Sequence, residues 1–224
     1  MSIYDVKIES WDGSDKDFLN KYKGKVTLFI NVTGDCGNAP QYGIIESIYR
    51  KYKDKGFEVV AIPTNEYCGS GITYGEFECG IKDAAHAKNY ANEVYDVTYD
   101  FTELVVSNPG KPIDPEMAKE LYGGRISEFP RQLEDGEEPH EIFKELSKQS
   151  QKTTKVGVHQ FGNFEKYLID KNGILRKKYH NGTLLDFAYP DHVDAPDVEY
   201  ERLCNDIEEL LSVWYIRKSM SMRI

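Results

Sequence analysis

The chain has 224 residues, of which 40% are hydrophobic, 12% aromatic and 29% charged, a balance that fits one ordinary globular core and excludes collagen-like, disulfide-scaffold and wholly disordered chains. Its 28 Lys and Arg against 38 Asp and Glu leave a formal net charge of −10. That charge argues against nucleic acid or an anionic membrane as the main partner, because phosphate binding needs clustered cations.

Residues 1–13 carry Asp5, Lys7, Glu9 and Asp12 and hold no apolar stretch, so neither a signal nor a transit peptide is expected there. The most apolar windows, 26–32 and 210–216, fall well short of the roughly 20 residues that span a bilayer. A cytoplasmic protein without a membrane span is the expectation, and the four cysteines, Cys36, Cys68, Cys79 and Cys204, then read as free or redox-active thiols rather than a structural framework.

In chain order, residues 26–33 (VTLFINVT) form a run of β-branched and aromatic residues without helical spacing, hence a buried strand. A Gly-containing loop follows. Pro40 suits the first turn of a helix, and Ile44, Ile45, Ile48, Tyr49 and Tyr52 recur at helical spacing until Gly56 offers a stop. Residues 57–63 (FEVVAIP) make the next buried strand, and a right-handed crossover sets it parallel to the first.

A second helix is expected within 76–97, with Ala84, Ala85, Ala87, Tyr90, Ala91 and Val94 on its inner face. The stretch 108–158 holds five of the nine prolines, Gly123, Gly124 and an acidic run. It reads as a loop-rich elaboration of the core that carries one helix near 139–149. Residues 164–169 and 174–179 flank Asp170-Lys171-Asn172-Gly173, a hairpin signal because Asn-Gly tolerates positive φ. The last helix, 198–211, places Leu203, Ile207, Leu210 and Leu211 on one side.

This order predicts a single α/β domain over residues 1–224 with a thioredoxin-like fold: a central mixed β-sheet flanked by helices, with the loop-rich insertion at about 108–158. Cys36 stands in the loop after the first strand, where the chain enters a helix. Backbone N–H groups and the helix dipole at such a position stabilise a thiolate, so a lowered pKa and a nucleophilic sulfur are expected. Cysteine as a residue type would equally fit an inert small hydrophobe.

The residues around it resemble a known family. Asn31-Val32-Thr33-Gly34-Asp35-Cys36-Gly37, followed by Pro40-Gln41-Tyr42 and Tyr49-Arg50-Lys51-Tyr52, resembles the peroxidatic-cysteine segment of glutathione peroxidases. Pro63-Thr64-Asn65-Glu66-Tyr67 resembles their second motif, Pro-Cys-Asn-Gln-Phe, and the run from Gly162 to Gly173 resembles their third, which normally begins Trp-Asn-Phe.

In that family a Cys or selenocysteine works with Gln, Trp and Asn, whose hydrogen bonds surround the sulfur or selenium. The resemblance therefore implies a site of Cys36, Glu66, Gly162 and Asn163, in which Glu66 stands where Gln is usual and Gly162 where Trp is usual. An ionised Glu cannot donate to a thiolate and repels it. Glu66 is accordingly expected to raise the Cys36 pKa and Glu66→Gln to lower it; the alternative is a Glu66 that stays protonated and donates a hydrogen bond, in which case the substitution is nearly neutral.

The implied chemistry is attack of a thiolate on a peroxide O–O bond, leaving a sulfenic acid. Thioredoxin-dependent members carry a resolving cysteine on the helix after the second motif, at the position that Ala91 fills here. Cys68 and Cys79 are then the candidate resolving thiols, and Cys204, in the amphipathic last helix, belongs to the core.

No metal is expected, because the five histidines show neither H-E-x-x-H nor a partner Cys-x-x-Cys pair. No other cofactor is implied. The expected activity is a thiol peroxidase acting on hydrogen peroxide or small organic hydroperoxides, with glutathione or a thioredoxin-type protein as reductant. The alternative is a degenerate member serving as a redox sensor or interaction protein without efficient turnover.

Overall fold

The computed structural model describes residues 1–64, 73–74, 77–78, 80–107, 138–154, 163–179, 184–185 and 196–221. Strand β1 (Val26–Val32) is buried at all seven positions and pairs in parallel with β2 (Phe57–Pro63). Between them runs α1 (Gln41–Tyr52), which makes the βαβ unit expected from the sequence.

The five-stranded sheet has the order β5-β2-β1-β6-β7, with β5 at Asp100–Phe101, β6 at Lys166–Ile169 and β7 at Leu175–Tyr179. Strand β5 joins β2 in parallel, whereas β6 runs antiparallel to β1 and β7 antiparallel to β6. The sheet is therefore mixed, as predicted. A separate short pair, β3 (Thr73–Tyr74) and β4 (Phe77–Glu78), is antiparallel.

Alternation along the strands feeds two cores. Val26, Leu28, Ile30 and Val32 of β1 face one side with α1, α2 (Ala84–Tyr95) and α4 (Pro196–Ser221), where Ile45, Ile48, Tyr52, Ala87, Ala91, Leu203 and Ile207 cover them. Phe29, Val60, Ile62, Tyr167 and Ile169 face the other side, under two N-terminal 3-10 turns and α3 (Glu141–Thr154). Both faces of the sheet are thus covered, which is why β1 and β2 read as continuous apolar runs.

Three expectations are corrected. Helix α2 starts at Ala84 rather than near 76, because Asp83 caps it by accepting the His86 N–H at 2.8 Å and Phe77–Glu78 is already paired as β4. Val94 is not on the inner face: it is 56% exposed, and Tyr95 beside it turns to the Tyr42 ring instead. Strand β6 begins at Lys166 rather than 164, because Phe164 takes φ 67°, a left-handed conformation that a strand cannot contain. The proposed inner-face residues Ala84, Ala87 and Ala91 are buried, as expected.

Candidate active site

The site is built on the C-terminal end of β1. The Asn31 carbonyl accepts from Phe164 N–H at 2.6 Å, and the Asn31 side-chain oxygen accepts from Glu165 N–H at 2.9 Å. One residue further, the Val32 carbonyl accepts from Thr64 N–H at 2.9 Å. The loop bearing Cys36 departs from that same strand end. Three segments far apart in sequence therefore meet at two consecutive residues of β1: the Cys36 loop, Thr64 at the start of the second motif, and Asn163-Phe164 of the third.

The Cys36 loop closes into α1 by successive turns, with Ala39 N–H donating to the Cys36 carbonyl at 2.8 Å and Tyr42 N–H to the Ala39 carbonyl at 2.9 Å. Tyr42 lies beneath it, fully buried. Its hydroxyl donates to the Thr33 carbonyl at 2.6 Å, and its ring meets Phe164 edge to face with centroids 4.8 Å apart. One tyrosine thus packs the thiol-bearing loop against the turn that holds Asn163. The Asn163 side chain is buried there, at 4% exposure.

Cys36 is partly buried and packs on the larger core cluster. The N–H groups of Asn38 and Ala39 act on its sulfur to lower the pKa, as the loop position predicts, yet burial outweighs them and the adjacent Asp35 carboxylate adds to burial. The thiol is pushed up to about 11. The expectation of a lowered pKa is therefore corrected: the amides are in place, but desolvation of the sulfur is a tertiary effect that the local motif does not reveal.

Cys204 is buried in α4 at 5% exposure, in the core as expected. Ala91, where the usual resolving thiol would stand, is fully buried. Glu66, Gly162, Cys68 and Cys79 lie outside the described residues. One contact escaped sequence reasoning: the Tyr90 hydroxyl on α2 donates to the Asp35 carboxylate at 2.9 Å. The only signal for it was Tyr90 among the inner-face positions of that helix. Among the described residues no group of three or more His, Cys, Asp or Glu is disposed to hold a metal ion. No helix among them is long and apolar enough to cross a membrane.

The family model described as glutathione peroxidase matches residues 3–115, half of the chain. The chain belongs to the glutathione peroxidase family. It is similar to the glutathione peroxidase-like peroxiredoxin gpx1 of Schizosaccharomyces pombe, at 27% identity over 210 residues that cover 93% of this chain and 98% of that protein. It is also similar to the glutathione peroxidase homolog BsaA of Halalkalibacterium halodurans, at 27% identity over 211 residues, 94% of this chain and all of that one (100%). Among solved structures, Trgpx in apo form superposes with a TM-score of 0.56 at 22% identity, covering 95% of this chain and 96% of its own. T. cruzi GPX1 gives 0.54 at 18%, covering 95% and 97%. These last two likenesses carry the thioredoxin-like fold.

Proposed function

We propose that Cys36 is the peroxidatic thiol of this family member, with Asn163, Glu66 and Gly162 lining the place where peroxide meets it. The activity is that of a thiol peroxidase: an oxidoreductase that reduces a hydroperoxide at the expense of a thiol. The observation that carries the assignment to Cys36 is the meeting of all three motif segments at Asn31 and Val32. A strand end that gathers segments so distant in sequence is where a shared site is expected.

In the first half-reaction the Cys36 sulfur attacks one peroxide oxygen, the O–O bond breaks, and the leaving oxygen takes the thiol proton. A hydroperoxide and Cys36–SH become Cys36–SOH and water or an alcohol, with sulfur oxidised and peroxide reduced. Two reductant thiols then return the sulfenic acid to the thiol, releasing water and a disulfide. Burial holds the Cys36 thiol in its protonated form at neutral pH. In that form the thiol proton is the one that the leaving oxygen takes.

A glutathione or thioredoxin-type reductant fits this scheme, and an internal partner, if used, is Cys68 or Cys79. The hydroperoxy fatty acid reductase gpx1 of Synechocystis sp., 27% identical over 205 residues, 88% of this chain and 94% of its own, extends the candidate substrates to lipid hydroperoxides. The relatives carry the names of working peroxidases, so the sensor alternative is not adopted.

Dimedone labelling after one equivalent of hydrogen peroxide tests the assignment. The label should map to Cys36 alone. Comparable labelling of Cys68, Cys79 or Cys204 in Cys36→Ser would overturn it.

A further inference from the structure

We propose that the hydrogen bond from Tyr90 to Asp35 is a latch that tunes the reactivity of Cys36, by pinning the carboxylate of the residue before it and tying α2 to the loop that carries the thiol. Asp35 directly precedes Cys36, and its Oδ1 accepts the Tyr90 hydroxyl at 2.9 Å. Tyr90 is itself held from two sides. Its ring meets Tyr42 at 6.3 Å and Tyr95 at 6.0 Å, both edge to face. The helix that carries it is anchored to α1 beyond its C-terminus: the buried Glu46 carboxylate accepts the Thr98 N–H at 2.8 Å and its hydroxyl at 2.6 Å, and Arg50 donates to the Asp96 carbonyl at 2.9 Å. The carboxylate is therefore fixed in place by a rigid neighbour rather than left to swing into solvent.

Among the described residues, Asp35 on its own loop and Tyr42 on α1 are the titratable side chains that act on Cys36, with Tyr90 and Tyr95 of α2 packed against Tyr42. Burial drives both Tyr42 and Tyr90 upward, so each keeps its proton at neutral pH and Tyr90 remains a donor to Asp35. Burial opposes thiolate formation most strongly, the amides of Asn38 and Ala39 in the same loop favour it, and the Asp35 carboxylate adds its charge to the side of burial. Glu66, expected beside the sulfur, lies outside the described residues. A fixed anion at this position makes Cys36 slow towards electrophiles while the latch is shut, and freeing Asp35 speeds it.

This inference rests on Cys36 as the peroxidatic thiol, but its test does not need peroxide. Alkylation by iodoacetamide, followed against pH by mass spectrometry of the Cys36 peptide, reads the acidity of that thiol directly. Asp35→Asn keeps the oxygen that accepts from Tyr90 and removes the charge. It should lower the apparent pKa and speed alkylation at pH 7 by about threefold to tenfold. Tyr90→Phe keeps the charge and frees it, so a smaller shift in the same direction is expected, and adding Tyr90→Phe to Asp35→Asn should leave the apparent pKa where Asp35→Asn put it.

The same series in a Glu66→Gln background separates the two carboxylates, and the Asp35→Asn effect should persist there. An unchanged or raised apparent pKa in Asp35→Asn overturns the proposal, as does a raised one in Tyr90→Phe. If Asp35→Asn speeds alkylation while peroxide still fails to oxidise Cys36, the latch stands and the peroxidatic assignment falls.

Discussion

Lys166 is wholly buried on β6, on the face it shares with Leu168, and its ammonium group donates to the Phe164 carbonyl at 2.7 Å. That bond braces Phe164, which is buried and sits at positive φ, and so helps to hold the Asn163-Phe164 turn against Asn31. Burial lowers the Lys166 pKa to about 7, with Glu165 and Glu199 acting in the opposite sense. Between that value and the ordinary lysine range the unfolded chain binds the extra proton. Folding stability therefore rises with pH from about 7 upward, by at most about 1.4 kcal/mol per pH unit. The neutral amine still carries N–H groups to donate to Phe164, so the brace survives the loss of charge. Urea unfolding at pH 7.0 and about 8.5 should show this gain in the wild type and its absence in Lys166→Met. Equal gains in both proteins would contradict the assignment. Neither the latch at Asp35 nor the burial that raises the Cys36 pKa was legible in the sequence, where a rise was expected from Glu66 and a fall from the loop amides. Asp35 and Tyr90 are 55 positions apart and meet only through the packing of α2 on α1, while the motif advertises the amides at Cys36 but not its burial.

At the scale of elements, the hairpin between β6 and β7 joins sequence to site, because its register fixes where the Asn163-Phe164 turn falls on β1. Asp170 organises the turn: its Oδ1 accepts from Asn172 N–H at 2.9 Å and Ile174 N–H at 3.0 Å, and its Oδ2 takes both Arg176 donors. Gly173 closes it at φ 77°, and a Cβ there would collide with the Ser2 side chain, whereas Gly24 at φ 84° has open space around it. Gly24→Ala is expected to cost about 1 kcal/mol from backbone strain alone, and Gly173→Ala about 2 kcal/mol or more because a steric clash is added. Thermal unfolding of both variants checks the difference, and a cost for Gly173→Ala no larger than for Gly24→Ala would contradict it. The hairpin, β1, α1 and β2 were readable beforehand because local chemistry and tertiary demand agree there: β-branched runs, helical spacing and an Asn-Gly turn. The start of α2 was not read, although Asp83 supplies the cap. The apolar spacing extends upstream into a segment that the fold uses as the β3–β4 pair, and pairing of that kind overrides helical spacing.

Over the whole molecule, the mixed sheet with both faces covered does one thing for function: it fixes the end of β1 as a rigid platform on which three loops converge. Charge bears on partners. A formal net charge of −10 gives no long-range attraction for anionic glutathione, while Ala91, where the family resemblance expects the resolving thiol, speaks against the usual internal route to a thioredoxin-type reductant. The two features weigh on opposite routes, so the donor is best read in the same experiment as the chemistry. Steady-state consumption of hydrogen peroxide by wild type and Cys36→Ser, run separately with glutathione and with a thioredoxin system, reads both whether Cys36 turns over and which donor restores it. The wild type should turn over with at least one donor, and Cys36→Ser should consume none above the blank. Equal consumption by the two proteins, or no consumption by the wild type with either donor, would contradict the peroxidatic role of Cys36.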